Sequence, residues 1–343
     1  MADLSSRRYG AAVDLAAGPA AHVDNAARTL HALRRARWPL FWLVLAALFV
    51  GWGLSDNARL FLLTVLNGLT LAALYFLVAS GFTLIFGLMR NVNLAHGSLF
   101  LLGAYVGYMV GDASGSWLLA VAAGFASSAI AGVLMQVLIF RHMEGQDLRQ
   151  TLVTIGLSIV MADVFLWIFG GDIYQFDAPA WLTGTVSLPV INKYAGFRLV
   201  VLAAALVMGV VLWLFLNRTR IGMMVRAGVD DKKMLSASGV NVQRLFAVTF
   251  AVGAGLAGFA GVIGGTALSI APGEDVRYLL ASLVVVIVGG MGSITGAAVG
   301  ALLIGMAETF GQAYTPTYGV VFTFVIMVVV LAFRPQGLMG RRA

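Results

Sequence analysis

The chain has 343 residues, of which 60% are hydrophobic and only 11% are charged, whereas soluble globular domains typically carry about 25% charged residues. This composition excludes an ordinary soluble domain and predicts an all-α protein that crosses a membrane many times. Cysteine is absent, which excludes disulfides and Cys-ligated metals. The formal net charge of +7 is not accompanied by a basic and aromatic module, so no nucleic-acid partner is expected.

The N-terminal residues predict a tail followed by one membrane helix. Residues 1–37 are polar and rich in alanine, which indicates a cytoplasmic tail. Residues 38–58 are largely apolar and follow four arginines, as in a signal peptide, but no small-residue cleavage site ends them. We therefore expect an uncleaved extra membrane helix over residues 38–58. The main domain is expected over residues 59–335, and residues 336–343 are predicted to form a cytoplasmic C-terminal tail.

Eight apolar runs follow in the main domain. A helix needs about 20 residues to cross about 30 Å of hydrocarbon, so most of the runs fit a single crossing. We expect about 8–10 transmembrane helices in total, with broken or re-entrant segments among them. The runs are Leu60–Leu88, Leu94–Val110, Trp117–Phe140, Thr151–Gly170, Leu199–Leu216, Leu245–Gly265, Leu279–Phe310 and Gly319–Phe333.

Two of these runs are long and contain several glycines. The first carries Gly68, Gly81 and Gly87, and Leu279–Phe310 is cut by the sequence GGMGS at residues 289–293. Glycine weakens a helix, and irregular backbone at membrane depth is tolerated only inside protein or beside a watery cavity. We therefore expect both runs to be interrupted beside a translocation path. The second run is predicted to form a re-entrant pair of half-helices.

Arginine and lysine are concentrated on one side of the predicted spans, in the N-terminal tail, the basic loop 217–244 and the C-terminus. Such residues favour the cytoplasmic side of a membrane. Both termini are therefore predicted to be cytoplasmic, which requires an even number of crossings.

No group of residues predicts an enzyme. The four histidines do not pair with carboxylates at metal-ligand spacing, and the sequence has no G-x-x-x-x-G-K-[ST] phosphate loop. The chain is therefore expected to use no cofactor or metal and to hydrolyse no ATP by that route.

A polar stretch between the first two runs of the main domain is a candidate part of the path. Asn91, Asn93, His96 and Gly97 place two amides and an imidazole between apolar segments. Asn93 also suits the N-cap of the helix that follows. A local capping role and a polar gate are therefore both open, and they are compatible.

Acidic and small residues within the apolar runs supply further candidates. Asp163 lies deep in its run and is interpreted either as a helix–helix hydrogen-bonding group or as a path residue. Glu308 lies near the outer end of its run and is expected to reach solvent there. Gly290, Gly292 and Ser293, at the glycine interruption, complete the predicted path residues.

The basic loop carries six basic and two acidic side chains. Asp230 and Asp231 are predicted to begin a short helix, because acids favour a helix N-terminus. Met234 and Leu235 would form an apolar patch, and Gly239 suits the position that ends the helix. We interpret the loop as an amphipathic helix that docks a soluble partner. A solvated loop that only sets topology is the alternative.

Four stretches of the sequence carry a family pattern. They are LNGLTLAALYFLVASGFTLIFGLMRNVNLAHGSLFLLGAYVG, RAGVDDKKMLSASGVNVQRLFAVTFAVGAGLAGFAGVIGG, VVVIVGGMGSITGAAVGALLIGMAETFG and the tail FRPQGLMGR. In this order, from about Leu60 to Arg341, they resemble the shorter permease subunit of branched-chain amino acid ABC importers. Several motifs at the right spacing are more specific than any one of them.

The resemblance implies a multi-pass permease of the bacterial inner membrane, surrounded by lipid. A second related permease, two cytosolic ATPases and a periplasmic or extracellular solute-binding protein would complete the importer. Residues 226–241, beginning at Arg226, match the ATPase-facing coupling segment. Residues 91–97 and 289–293 match signature stretches without an assigned chemical role.

Other solutes and one other mechanism stay open. Relatives of this fold carry urea, short amides or other small polar solutes, and an ion-coupled secondary transporter would need broken helices with acids at a coupling-ion site. The chain departs from the family pattern in its N-terminal extension up to Leu54. It also has Ala162-Asp163 where the family often has an amide pair.

Overall fold

The computed structural model describes residues 18–89, 92–188 and 191–340, and the chain divides into two compact units between Leu62 and Leu63. The described residues form eleven α-helices and one two-stranded antiparallel sheet, which confirms the predicted all-α membrane architecture. The elements are α1 (Gly18–Met89), α2 (His96–Ser114), α3 (Trp117–Leu138), α4 (Asp147–Phe169), β1 (Thr185–Leu188), β2 (Ile191–Ala195), α5 (Gly196–Arg218), α6 (Arg220–Asp230), α7 (Lys232–Ala237), α8 (Val242–Ala267), α9 (Glu274–Gly289), α10 (Ile294–Tyr314) and α11 (Gly319–Phe333).

Six helices among the described residues are long and apolar enough to cross a membrane. Helix α11 adds a shorter apolar segment, Val321–Phe333. The six are Asn57–Met89, Trp117–His142, Asp147–Phe169, Gly196–Arg218, Val242–Ala267 and Ile294–Tyr314.

Helix α1 bends at Asn57, where the backbone is non-helical (φ −150°, ψ 89°). The Asn57 Oδ1 accepts a hydrogen bond from the Leu60 amide (3.0 Å), as an N-cap does, so the membrane-length segment begins here. Residues 18–37, predicted as a polar tail, are helical, in keeping with the high helix propensity of alanine. The rest of that predicted tail, residues 1–17, lies outside the described residues.

The expected interruption of α1 at its glycines is wrong. The helix continues through Gly68, Gly81 and Gly87 to Met89. These glycines serve close packing: a Cβ at Gly81 would lie 2.3 Å from the carbonyl oxygen of Gly253. Small residues of this kind let membrane helices approach until their backbones touch.

The same kind of contact joins α2, α3 and α8 around α1. A Cβ at Gly103 of α2 would lie 2.2 Å from the Gly258 Cα of α8, and one at Gly258 would lie 2.2 Å from the Gly124 oxygen of α3. A buried hydrogen bond from Ser128 Oγ to the Leu99 oxygen (2.8 Å) also ties α3 to α2. These helices therefore form the core of the unit that begins at Leu63.

Helices α9 and α10 form an antiparallel hairpin at the predicted glycine interruption, so this break is confirmed. Gly290 and Gly292 have φ values of 111° and 79°, which favour glycine, and Ser293 Oγ caps α10 by accepting from the Gly296 amide (3.0 Å). The expectation of two half-helices is wrong for α10. It has 21 residues, or about 31 Å at 1.5 Å per residue, which is enough to cross alone.

The Gly103 contact yields a stability prediction. Changing Gly103→Ala places a methyl group against the backbone of α8, and overpacking of this kind typically costs about 1–3 kcal/mol. We expect a lower thermal unfolding temperature for the purified protein in detergent. Gly156→Ala is the matched control, because no atom lies within 4 Å of a Cβ at that helical position. Equal unfolding temperatures for both variants would contradict the packing argument.

Candidate functional site

The polar stretch before α2 forms a turn, and it is not a simple helix cap. Asn93 Oδ1 accepts a hydrogen bond from the Ala95 amide (3.1 Å), and the Asn93 carbonyl accepts from the His96 amide (3.3 Å). The predicted N-cap role of Asn93 is therefore wrong, since Ala95 occupies that position without a side-chain cap. Asn91 lies outside the described residues.

His96 attaches the start of α2 to the middle of α1. Its side chain is fully buried, and its Nε2 lies 3.1 Å from the carbonyl oxygen of Val78. A carbonyl only accepts, so Nε2 carries the proton and donates. The ring of Phe82 meets the imidazole edge-on at 5.4 Å, and among the described residues the other nitrogen, Nδ1, has no hydrogen-bond partner.

Gly97 brings α2 against the first turn of α9. A Cβ at Gly97 would lie 2.0 Å from the carbonyl oxygen of Asp275, so only glycine fits this contact. The next residue, Ser98, donates to Asp275 Oδ2 (3.5 Å) and shares a hydrogen bond with Ser158 Oγ of α4 (3.0 Å). We call Ser98, Ser158 and Asp275 the Asp275 cluster.

Asp275 is the acid in this cluster, and the sequence interpretation missed it. It is only 2% exposed, and its Oδ1 is without a hydrogen-bond partner in the described part of the chain. A buried carboxylate oxygen without a donor is costly, which makes Asp275 a candidate contact for a donor or a cation. The apolar run in this region was predicted to begin at Leu279. Helix α9 instead begins at Glu274, where acids favour the positive end of the helix dipole.

Glu308 is also buried, contrary to the expectation that it reaches solvent. Tyr75 donates to its Oε2 (2.6 Å) and Gln312 to its Oε1 (3.1 Å), while an Arg277 nitrogen lies 3.8 Å from Oε1. This network ties α1, α9 and α10 together. Both carboxylate oxygens of Glu308 therefore already have partners, unlike Asp275 Oδ1.

The remaining predicted path residues do not join the Asp275 cluster. Asp163 lies on an exposed face of α4. Gly290, Gly292 and Ser293 form the hairpin apex, which lies 15 residues along α9 from Asp275, or about 22 Å. The apex packs instead against the C-terminal segment, where the Met339 amide donates to the Gly289 oxygen (2.9 Å). The predicted path residues therefore fall into separate places.

The basic loop folds into two short helices, α6 and α7, instead of the single helix predicted. Asp230 ends α6, and Asp231 (φ −150°) caps α7 by accepting from the amides of Lys233 (2.8 Å) and Met234 (3.0 Å). Gly239 follows α7 with φ 86°, as expected for a helix stop. Arg226 lies exposed on α6 and donates to Asn217 Oδ1 (2.7 Å).

The predicted apolar patch on α7 is divided between two faces. Leu235 is 8% exposed and packs with Leu88 of α1 and Leu245 of α8, whereas Met234 is 73% exposed. Leu235 therefore anchors α7 to the ends of two central helices. The outward apolar side chains are Met234 of α7 and, on α6, Ile221 and Met223.

Comparison with known proteins identifies several relatives of similar length. Residues 64–331 match the family model described as "Branched-chain amino acid transport system / permease component". The chain is 31% identical over 307 residues to the high-affinity branched-chain amino acid transport system permease protein LivH of Salmonella typhimurium, covering 84% of this chain and 98% of that protein. It is also 31% identical to the high-affinity branched-chain amino acid transport system permease protein BraD of Pseudomonas aeruginosa, covering 82% of this chain and 96% of that protein. The identity to LivH of Escherichia coli K12 is 30%, covering 84% of this chain and 98% of that protein.

The two faces of α7 predict different mutational effects. Leu235→Ala removes a buried anchor and should destabilise the docking of α7 by about 2–5 kcal/mol. Met234→Ala should change stability by no more than about 0.5 kcal/mol, because its side chain is exposed. Amide hydrogen exchange in α7 would measure both. Exchange that is no faster in Leu235→Ala than in Met234→Ala would contradict this division.

Proposed function

Since the chain belongs to the family of permease components of branched-chain amino acid transport systems, we propose that it is the membrane permease subunit of an ATP-driven importer of branched-chain amino acids. The observation that carries the proposal is the exposed α6–α7 segment, anchored by Leu235 to a bundle of membrane-length helices. The chain has no phosphate loop of its own. ATP hydrolysis therefore takes place on separate subunits.

The partners follow from this assignment. The importer has two cytosolic ATPases, and one of them docks on the outward apolar side chains Ile221, Met223 and Met234 of this chain, with Arg226, Asp230 and Asp231 at the polar rim. A second related permease completes the path, and a periplasmic or extracellular binding protein delivers the solute to the opposite end. Apolar anchors surrounded by polar residues are typical of protein interfaces.

The orientation follows from the same segment. Its basic residues, Arg218, Arg220 and Lys233 among them, favour the cytoplasmic side of a bacterial inner membrane. Both termini lie on that side in the proposed topology. The Asp275 cluster then lies toward the outer half of the bundle, because α9 runs from it to the apex beside the end of α1.

Coupling passes through helix ends that contact α7. ATP binding moves the ATPases, and Leu235 transmits the movement to Leu88 and Leu245. Lys232 adds a hydrogen bond from its Nζ to the Met89 oxygen (3.4 Å). The bundle then changes between inward-open and outward-open states, and the bias toward either state equals the difference in contact free energy between them.

The Asp275 cluster is the proposed solute contact within the path. The Asp275 Oδ1 accepts from the α-ammonium group of the amino acid, and Ser98 and Ser158 supply further hydrogen bonds. Gly97 permits the approach of α2 to α9, while Asn93 and His96 hold the start of α2. Asp163, Gly290, Gly292 and Ser293 remain proposed path residues that other states or the second permease bring into use.

Gly239, which follows the end of α7, provides a test of coupling between ATP hydrolysis and uptake. Gly239→Pro forces φ near −65° where the chain requires 86°, at a cost of about 1–3 kcal/mol, so the end of α7 is displaced. In proteoliposomes with all subunits, we expect ATP hydrolysis to continue while solute-stimulated hydrolysis and uptake fall at least about tenfold. Gly115→Pro is the control: its φ is 65° and its surroundings are open, but it lies between α2 and α3. Uptake reduced equally in both variants would count against the coupling role.

The buried Asp275 provides a test of which solute the protein carries. Asp275→Asn keeps the shape of the side chain but removes its charge, and we expect branched-chain amino acid uptake to fall by about 10²-fold, since a buried ion pair is lost. Asp172→Asn, an exposed acid, serves as the control. Unchanged uptake in Asp275→Asn would exclude this contact and favour a neutral solute such as urea or an amide.

Uptake that does not depend on the ATPases but is lost in Asp163→Asn would indicate an ion-coupled transporter instead.

A further inference from the structure

An open groove of about 720 Å³ lies between α1, α5 and α10, on helices long enough to cross a membrane. Its longest wall is one face of α5, where the lining residues recur every three or four positions. This wall extends over 15 residues from Leu202 to Asn217, a length of about 22 Å, whereas the hydrocarbon of one bilayer leaflet is about 15 Å thick. In the described part of the chain, none of the lining residues belongs to the Asp275 cluster.

Small residues keep the groove open. Gly209 in the middle of α5 faces Phe76 of α1, and a Cβ added at Gly209 would lie 3.4 Å from that ring, in ordinary contact. Ala205 lines the same wall, and Ala298 lines the wall formed by α10. Larger side chains at these three positions would occupy the space. The groove therefore exists because α5 and α10 carry small residues where they line it.

The polar residues of the groove lie at one end, and the rest of its described lining is apolar. Arg226 Nη1 donates to Asn217 Oδ1 (2.7 Å) at the end of α5, and Thr295 lies in the first turn of α10, beside the hairpin apex. Leu216 packs against the cluster that contains Leu88, so this end of the groove is on the α6–α7 side. A guanidinium has five N–H donors, so the bond to Asn217 leaves others for an anion.

We propose that the groove binds one phospholipid with an anionic headgroup. Its phosphate accepts hydrogen bonds from Arg226, because the planar fork of a guanidinium matches the geometry of a phosphate. An acyl chain extends from there along α5, over Phe76 and Gly209, and packs against the apolar lining. Trp213, half exposed one turn before Asn217, suits the boundary between headgroup and chain. Basic sites between membrane helices on the cytoplasmic side favour anionic lipids.

Two other occupants match the groove less well. A free amino acid is much shorter than an apolar groove of about 22 Å. A helix of the second permease would have to supply an anion beside Arg226 at the membrane surface, where a phospholipid carries its phosphate in every bilayer. A long apolar body with a single anionic end is the chemistry of a lipid.

A lipid in this groove connects α6 to the membrane helices. It contacts α6 through Arg226 and the bundle through α1, α5 and α10. It therefore adds a contact to the segment proposed to dock an ATPase. The cytoplasmic leaflet as the source of this lipid rests on the proposed function and its topology, whereas binding of the lipid does not.

The first test uses the assembled wild-type importer in nanodiscs that contain phosphatidylcholine and phosphatidylglycerol in equal amounts. In parallel samples, one of the two lipids carries a photoreactive diazirine in its acyl chain, and mass spectrometry locates the crosslinks. We expect crosslinks at the exposed groove residues Leu206, Val210 and Leu302 to be several-fold more abundant with phosphatidylglycerol. Equal crosslinking with both lipids would indicate bulk lipid only and would overturn the inference.

The second test repeats the crosslinking with matched variants. Arg226→Gln should lower phosphatidylglycerol crosslinking in the groove about fivefold and leave phosphatidylcholine unchanged, as expected for one arginine beside an anionic lipid. Arg220→Gln, at an exposed arginine of the same helix outside the groove, should resemble the wild type. Ala298→Phe fills the groove and should lower crosslinking of α5 by both lipids several-fold. Ala203→Phe, at an exposed alanine of α5 outside the groove, should not.

Two results with the variants would overturn the inference. Phosphatidylglycerol crosslinking that responds equally to Arg226→Gln and Arg220→Gln would exclude a specific headgroup contact. Separation of the permease pair in Ala298→Phe but not in Ala203→Phe would show that a helix of the second permease occupies the groove. If Ala298→Phe does not fold, the wild-type lipid ratio and the arginine pair still decide. A phosphatidylglycerol preference in a wild-type complex that imports no amino acid would contradict the proposed function alone.

Discussion

Direct contact between helix backbones is the constraint on which the rest of this protein depends. Where Gly81 faces Gly253 and Gly103 faces Gly258, neither surface carries a side chain. In lipid, such packing supplies the attraction that the hydrophobic effect provides between helices in water. Helices α1, α2, α3 and α8 therefore form one tight core. Polar groups at the start of α2 are shielded by that core, which explains why His96 and Ser98 are fully buried.

The proposed transport cycle uses the two ends of this core for different tasks. Near one end, the Asp275 cluster joins α2, α4 and α9 around a carboxylate that lacks a donor. At the other, Leu235 fastens α7 to α1 and α8. Helix α9 covers about 22 Å between Asp275 and the hairpin apex, which lies beside the end of α1. In the proposed cycle, a displacement of α7 therefore reaches the proposed solute contact only through rigid helices.

The sequence predicted the fold class and the main segments well, because apolar runs of about 20 residues are a strong signal in membrane proteins. It also located the hairpin apex at residues 289–293 and the α7 stop at Gly239. It was wrong where one residue type has two physical uses. Glycines in α1 were expected to break the helix but serve close packing, and Glu308 was expected in solvent but accepts from Tyr75 and Gln312. Asp275 was missed because its helix begins five residues before the apolar run.

By itself, the sequence determined that this chain lies in a membrane, that a basic amphipathic segment interrupts it, and that it lacks a phosphate loop. These properties depend on composition and on residues adjacent in the chain. Tertiary structure alone decided which polar groups are satisfied, that Leu235 faces inward while Met234 faces outward, and that Phe76, Arg226 and Ala298 share one groove. Such facts depend on residues far apart in sequence, because burial and hydrogen bonding are set by the neighbours that folding brings into contact.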